Sequence, residues 1–325
     1  MNGVRQRTVH VNGIDIALRE SGEPGAPLIV LAHGFPETSH SWRHQMQPLA
    51  DAGYHVIAPD QRGYGLTTAP QDISAYSTTH LAVDLLAIAE DAGHERAIYV
   101  GHDWGSLLLW DLCRMHPERV IAGVAASVPF TDWPQPPLDI MRARYGDRFF
   151  YIIYFQEPGV GEEEFNNNVE DAMFKILWGA SAECRDNPAF FSNKELPPAA
   201  GTKYLDNLDT PPPFPWSWLT QEEFDEYVAA FTHSGFFGPV SWYRNLNANY
   251  EATKNIPAAN ISMPMCFITG EFDPVNRNYD AALEYMGNAL PQFRGGTMIP
   301  NAGHWVQQES PVAFNEALLM FLRSL

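Results

Sequence analysis

The chain has 325 residues, of which 45% are hydrophobic and 18% charged. That is enough apolar material for a sizeable core and argues against wholesale disorder. Its longest apolar runs fall far short of a membrane span, and a net charge of −19 repels phosphate backbones and anionic lipid, which sets nucleic-acid binding aside. Length alone suggests about two domains, or one domain with a large insertion. Cys113, Cys184 and Cys266 show no CxxC spacing, and an odd number cannot all pair within the chain. Reduced, buried thiols in a cytoplasmic protein are therefore expected. The segment MNGVRQRTVH lacks the apolar stretch of a signal peptide, in keeping with that expectation.

Residues 7–19 read as two short strands around the turn Asn12-Gly13. Apolar runs then follow at Leu28–Ala32, Tyr54–Ala58, Ala97–Gly101 and Ile121–Ser127. Between them lie helical patterns at 78–92, with Leu81, Leu85 and Ile88 on one face, and at 104–116. Strand and helix alternating at this spacing predict an α/β fold, a mostly parallel sheet with helices on both faces. After Val128 the pattern changes: residues 129–250 are rich in aromatics, prolines and acidic residues and lack β-branched runs. Pro211-Pro212-Pro213 and Pro215 read as an extended lid loop, and Thr220-Gln-Glu-Glu223 as a capping box opening a helix to about Phe231. Strand character returns at Met265–Thr269 and near Gly296–Ile299, before a terminal helix at 311–324. The expected organisation is a split core, 1–128 plus 255–325, with a mostly helical insertion at 129–254. Such an insertion lies over the usual ligand crevice at the carboxyl ends of the strands.

The run Gly101-His102-Asp103-Trp104-Gly105-Ser106 sits where a strand turns into a helix. Glycines two before and two after one residue fit a nucleophile elbow with Asp103 at its tip, where the following helix N-terminus favours an ionised carboxylate. Asp273 follows a later predicted strand, and His304 follows the last one. Nucleophile, acid and histidine in that order match the chain order of an α/β-hydrolase triad. His33-Gly34-Phe35-Pro36 ends the strand 28–32, so the Phe35 amide can point at the elbow and, with the Trp104 amide, form a two-donor oxyanion hole. The neighbouring His102 is expected to point away from the tip and to be structural. Ser106 is not at the tip, which disfavours an ordinary serine esterase.

Taken together, HGFP, DQRGYG at 60–65, GHDWGS and NAGHW resemble an α/β-hydrolase-fold soluble epoxide hydrolase, most closely the bacterial and mycobacterial type. The resemblance spans essentially the whole chain. It implies an eight-stranded sheet, an inserted helical cap, and an Asp alkyl-enzyme ester that water resolves to a vicinal diol. Tyr151-Ile-Ile-Tyr154 and Trp242-Tyr243-Arg244 are similar to the family's two cap-tyrosine segments. On that resemblance Tyr151 and Tyr243 hold the epoxide oxygen, with Tyr154, one helical turn away, as an alternative to Tyr151. Asp103 is then the nucleophile, His304 the base that activates water, and Asp273 its orienter. Phe35, Trp104, Phe130, Tyr154, Trp216 and Trp305 are candidates for an apolar substrate pocket. The expected partners are a small hydrophobic epoxide and water, in a monomer or homodimer. No cofactor and no metal are expected, because the sequence carries no HExxH or helix-opening GxGxxG and water is the only co-substrate. Two rivals share the scaffold. A haloalkane or haloacid dehalogenase would use the same Asp and His, but such enzymes usually carry Asn at the Phe35 position or Arg at the Trp104 position. A non-catalytic ligand-binding protein would usually have lost a member of the set.

Overall fold

The computed structural model describes residues 3–184, 197–275 and 278–325. Its strands are β1 (Arg5–Val11), β2 (Ile14–Ser21), β3 (Leu28–Ala32), β4 (His55–Pro59), β5 (Ala97–His102), β6 (Val120–Ala126), β7 (Met265–Gly270) and β8 (Phe293–Ile299). They form one eight-stranded sheet in the order β1-β2-β4-β3-β5-β6-β7-β8. The pairs β1/β2 and β2/β4 are antiparallel, and the rest are parallel. Asn12 and Gly13, both at positive φ (49° and 73°), make the tight turn between the first two strands.

The continuous apolar runs have a simple cause. Every residue of β3, β4, β5 and β7 is buried, because helices cover both faces of the sheet. Alternate residues divide between the two faces, and the short helix α1 (Met46–Asp51) packs on one of them through Met46 and Leu49. Leu28 and Val30 pack with Leu81 and Leu85 of α2 (Thr78–Asp91) and with Leu108, Leu109 and Leu112 of α3 (Trp104–Met115). Ile29 and Leu31 pack on the opposite face with Phe314, Leu318 and Phe321 of the terminal helix Pro311–Leu322. By contrast, β8 is an edge strand in which exposed and half-buried residues alternate.

Between β6 and β7 the described chain is helical: Pro137–Tyr145, Tyr151–Tyr154, Val160–Asn167, Val169–Gly179, Gln221–Ser234, Phe237–Arg244 and Leu246–Thr253. Only Gln221–Ser234 stands out individually in the sequence, and it opens with the expected capping box. Thr220 Oγ1 accepts from the Glu223 amide at 3.2 Å, and the Thr220 amide donates back to Glu223 Oε2 at 3.0 Å. This helix is also tied to the sheet side. Glu223 pairs with Arg43 at 2.7 Å, and Glu226 pairs with Arg19 and with His40. Thr220→Ala is expected to lower stability by about 1 kcal/mol. Chemical denaturation checks this, and an unchanged midpoint would contradict it. Among the described residues no helix is long and apolar enough to cross a membrane, and all three cysteines are buried.

Candidate active site

The turn from β5 into α3 places Asp103 at the carboxyl end of the sheet. Its backbone lies at φ 52° and ψ −115°, a conformation L residues rarely adopt and one that stores strain of roughly 1–3 kcal/mol. Close packing enforces it. A Cβ on Gly105 would come within 2.1 Å of the Ala32 carbonyl oxygen, so α3 can rest against the end of β3 only with glycine there. From the other side, a Cβ on Gly34 would meet Asp103 Oδ1 at 2.5 Å. The loop after β3 can therefore lie directly on the carboxylate, and the Phe35 amide donates to Asp103 Oδ1 at 2.9 Å. The bond between Phe35 and Pro36 is cis. Trp104 is the first residue of α3, so its amide is among those a helix N-terminus leaves free of intrahelical bonds.

The loops after β7 and β8 bring the other two members of the set to the same point. His304 Nε2 lies 3.6 Å from Asp103 Oδ2, and His304 Nδ1 lies 3.0 Å from Asp273 Oδ1. Asp273 is further held by the Val275 amide at 2.9 Å and by Thr269 Oγ1 at 3.3 Å. Its side chain is fully closed off, whereas that of Asp103 keeps 14% exposure, so only the elbow carboxylate faces accessible space.

Electrostatics follow from this line of alternating charge. Burial alone would push the Asp103 carboxyl up. The hydrogen bond and charge of His304, with the Phe35 amide, hold it below the usual carboxylate range. Burial likewise works against both Asp273 and a charged His304, but their mutual attraction lowers the one and raises the other. Two flanking carboxylates therefore hold the pKa of His304 well above the ordinary imidazole value, favouring its charged form.

Over Asp103 stand aromatic rings from the helical insertion. The Tyr243 ring makes edge contacts with Trp104 (4.8 Å between centroids) and Phe35 (5.4 Å), the two residues that flank the carboxylate. Tyr151 meets Tyr243 edge-on at 5.9 Å. Burial, reinforced by the Asp103 charge, raises both phenols far above the ordinary tyrosine value, so both keep their protons.

Other expected pocket residues are engaged elsewhere. The Tyr154 hydroxyl donates to Glu164 Oε2 at 2.6 Å, and the same carboxylate accepts from the Tyr204 and Leu205 amides. That bond spends its phenol on tying the helix Tyr151–Tyr154 to the helix Val160–Asn167, so it does not join the rings over Asp103. Phe130 packs between Trp110 and Tyr285, under the Arg114 guanidinium. Trp216 sits in an aromatic stack with Phe214, Phe174 and Trp178, with its indole donating to the Pro212 carbonyl at 3.0 Å. Trp305 does lie against His304, 4.7 Å between ring centroids, and its indole donates to the Leu177 carbonyl at 2.6 Å.

His102 is turned away from the elbow tip and buried. Its Nδ1 lies 2.6 Å from Glu37 Oε2, and its Nε2 lies 2.8 Å from the His304 carbonyl oxygen. Glu37 in turn accepts from the Gly34 amide and from the side chains of Gln307 and Gln308. A buried carboxylate thus links the loop of Phe35 to the loop of His304. Sequence reading passes over Glu37, since nothing in its local pattern separates it from a surface acid.

A family model for the alpha/beta hydrolase fold matches residues 27–153. The chain is 42% identical to Epoxide hydrolase A of Mycobacterium tuberculosis, across 100% of this chain and 99% of that protein. The crystal structure of Epoxide Hydrolase A from Mycobacterium thermoresistibile matches with a TM-score of 0.90 at 43% identity, covering 98% of each chain. That of an epoxide hydrolase from Vigna radiata matches with a TM-score of 0.89 at 34% identity, covering 100% of this chain and 99% of that one. On similarity that runs the full length of the sequence, the chain belongs to the epoxide hydrolase family of the α/β-hydrolase fold.

Proposed function

We propose that this protein hydrolyses small hydrophobic epoxides to vicinal diols through an alkyl ester on Asp103. The observation that carries the reading is the line from Asp103 through His304 to Asp273, with Tyr243 and Tyr151 above the nucleophile. Residues 1–128 and 255–325 form the catalytic core, and 129–254 the cap that supplies the phenols. Reduced cysteines accord with a cytoplasmic setting.

In the first step Asp103 attacks an epoxide carbon from behind, and the ring C–O bond breaks. The leaving oxygen would be a poor alkoxide in water. A proton from Tyr151 or Tyr243 converts it to a hydroxyl, which a phenol kept neutral by burial can supply. The ester then has a carbonyl carbon that water can attack, which an ether on a serine would not offer. Esterification also removes the negative charge of Asp103, one of the two that hold the proton on His304. His304 thereby gives up its proton more readily, returns it to the tyrosinate and becomes a base for the attacking water, while Asp273 keeps its ring oriented. The Phe35 and Trp104 amides stabilise the oxyanion, a contribution of about 3–4 kcal/mol per donor. On collapse the departing diol oxygen takes the remaining proton of the added water as the carboxylate is restored, and the proton taken from water stays on His304, which regains its starting charge.

Tyr151→Phe and Tyr243→Phe test the acid role. Each is expected to slow ester formation by about 10²-fold and to leave ester hydrolysis unchanged. Single-turnover mass spectrometry with an aryl epoxide resolves the two steps. Wild-type rates of ester formation in both variants would contradict the assignment.

A further inference from the structure

Three backbone amides converge on one carboxylate beside the catalytic histidine. Glu309, at the end of the helical turn Val306–Glu309, accepts from the Gly303 amide (2.9 Å to Oε2) and the Trp305 amide (2.9 Å to Oε1). These are the two residues on either side of His304. Its Oε2 also accepts from the Ala182 amide at 2.8 Å, and Ala182 belongs to the helical insertion. The same stretch makes further bonds to the histidine loop. The His304 amide donates to the Ala180 carbonyl at 3.0 Å, and the Trp305 indole to the Leu177 carbonyl. Packing there is tight, since a Cβ on Gly303 would come within 2.3 Å of the Ala182 nitrogen. Burial pushes the Glu309 carboxyl up to about 7, against the pull of the three donors.

We infer that Glu309 is a positioning residue that fixes the His304 backbone from both sides and locks it to the cap segment around Ala182. The inference rests on the reading of His304 as the base of the second step. Glu309 reaches neither Asp103 nor the phenols in any of these bonds, so its influence falls on water activation and not on ring opening. A carboxylate suits the task because it offers four lone-pair sites to three converging N–H groups and donates to none of them. The amide of a glutamine keeps one oxygen but turns an NH2 group towards at least one of those donors. Alanine leaves all three without their acceptor.

The test compares Glu309→Gln and Glu309→Ala with wild type at alkaline pH, where the carboxylate is ionised. Ester formation and ester hydrolysis are timed separately by rapid-quench intact-protein mass spectrometry. Ester formation is expected to stay within about threefold of wild type, while hydrolysis falls by about 10- to 100-fold, as small misplacements of catalytic groups do. Alanine is expected to be worse than glutamine, and ester to accumulate in both. If alanine does not fold, the near-isosteric glutamine variant carries the test. Parallel loss in both steps, or loss in neither, would overturn the inference. His304→Gln, run alongside, separates the failures. If it accumulates ester while the Glu309 variants do not, only the positioning role is wrong. If it accumulates none, the assignment of the base is wrong.

Discussion

His304→Gln is expected to open one equivalent of epoxide and then stall. Asp103 keeps its place at the elbow in this variant, because its geometry is set by Gly105, Gly34 and the Phe35 amide and not by the imidazole. The phenols are untouched, so the ring can still be opened. What disappears is the group placed between Asp103 and Asp273, 3.6 Å from one and 3.0 Å from the other, that can take a proton from water. Glutamine can hydrogen-bond in that space but is no base. Loss of a positioned general base costs about 10²–10⁴-fold, so turnover should fall by that factor while the protein gains the mass of the epoxide. Intact-protein mass spectrometry shows the adduct directly. An unmodified mass from correctly folded variant would remove His304 from the second step alone.

Asp103→Ala is expected to abolish both adduct and turnover. Serine at 106 cannot substitute, since its hydroxyl is buried and bonded to the Gly101 and Ala126 carbonyls at 2.7 Å each. No adduct should form on any epoxide, and diol production should fall to background, a loss of at least about 10⁴-fold if both chemical steps depend on this carboxylate. The variant should be somewhat less stable than wild type, because the attraction of His304 and the Phe35 amide outweighs the carboxylate's cost of burial, and both lose that acceptor. It still leaves a side chain at positive φ, so no strain is relieved. Adduct formation in Asp103→Ala would mean that another group attacks the epoxide.

These two results bear on different parts of the reading, and the sequence made them unequally visible. The elbow is legible because its glycines answer a hard steric demand: α3 has to lie against the ends of β3 and β5, and the pattern around Asp103 records it. The core strands are legible for a similar reason, since burial on both faces leaves continuous apolar runs. Their observed bounds differ from the expected ones by a residue or two, except at the edge strand β8. There, the glycines at 295 and 296 and the alternating exposure blur the start by three residues.

The insertion was legible in class but not in detail. Its helices are short, and their order comes from aromatic packing across distant segments, as with Phe155, Phe165 and Tyr204 around one another. Composition cannot say which ring faces Asp103. Hence the sequence left Tyr154 as an alternative to Tyr151 and offered Phe130 and Trp216 for the pocket, yet one is bonded to Glu164 and the other two are packed among other rings. Glu37 and Glu309 were invisible for a different reason. Each acts through backbone or side-chain groups whose nearness exists only in the fold, such as Glu37 with His102, 65 residues away, and Glu309 with Ala182, 127 residues away.

The most direct test of the ester mechanism is a single turnover in heavy-oxygen water, with enzyme in excess over an aryl epoxide. If Asp103 attacks the ring, the oxygen added to the first diol comes from its carboxylate, and that diol carries no heavy oxygen. The label then appears in Asp103 and reaches product only in later turnovers. A first diol already carrying heavy oxygen would show that water opens the ring directly, and would contradict the account.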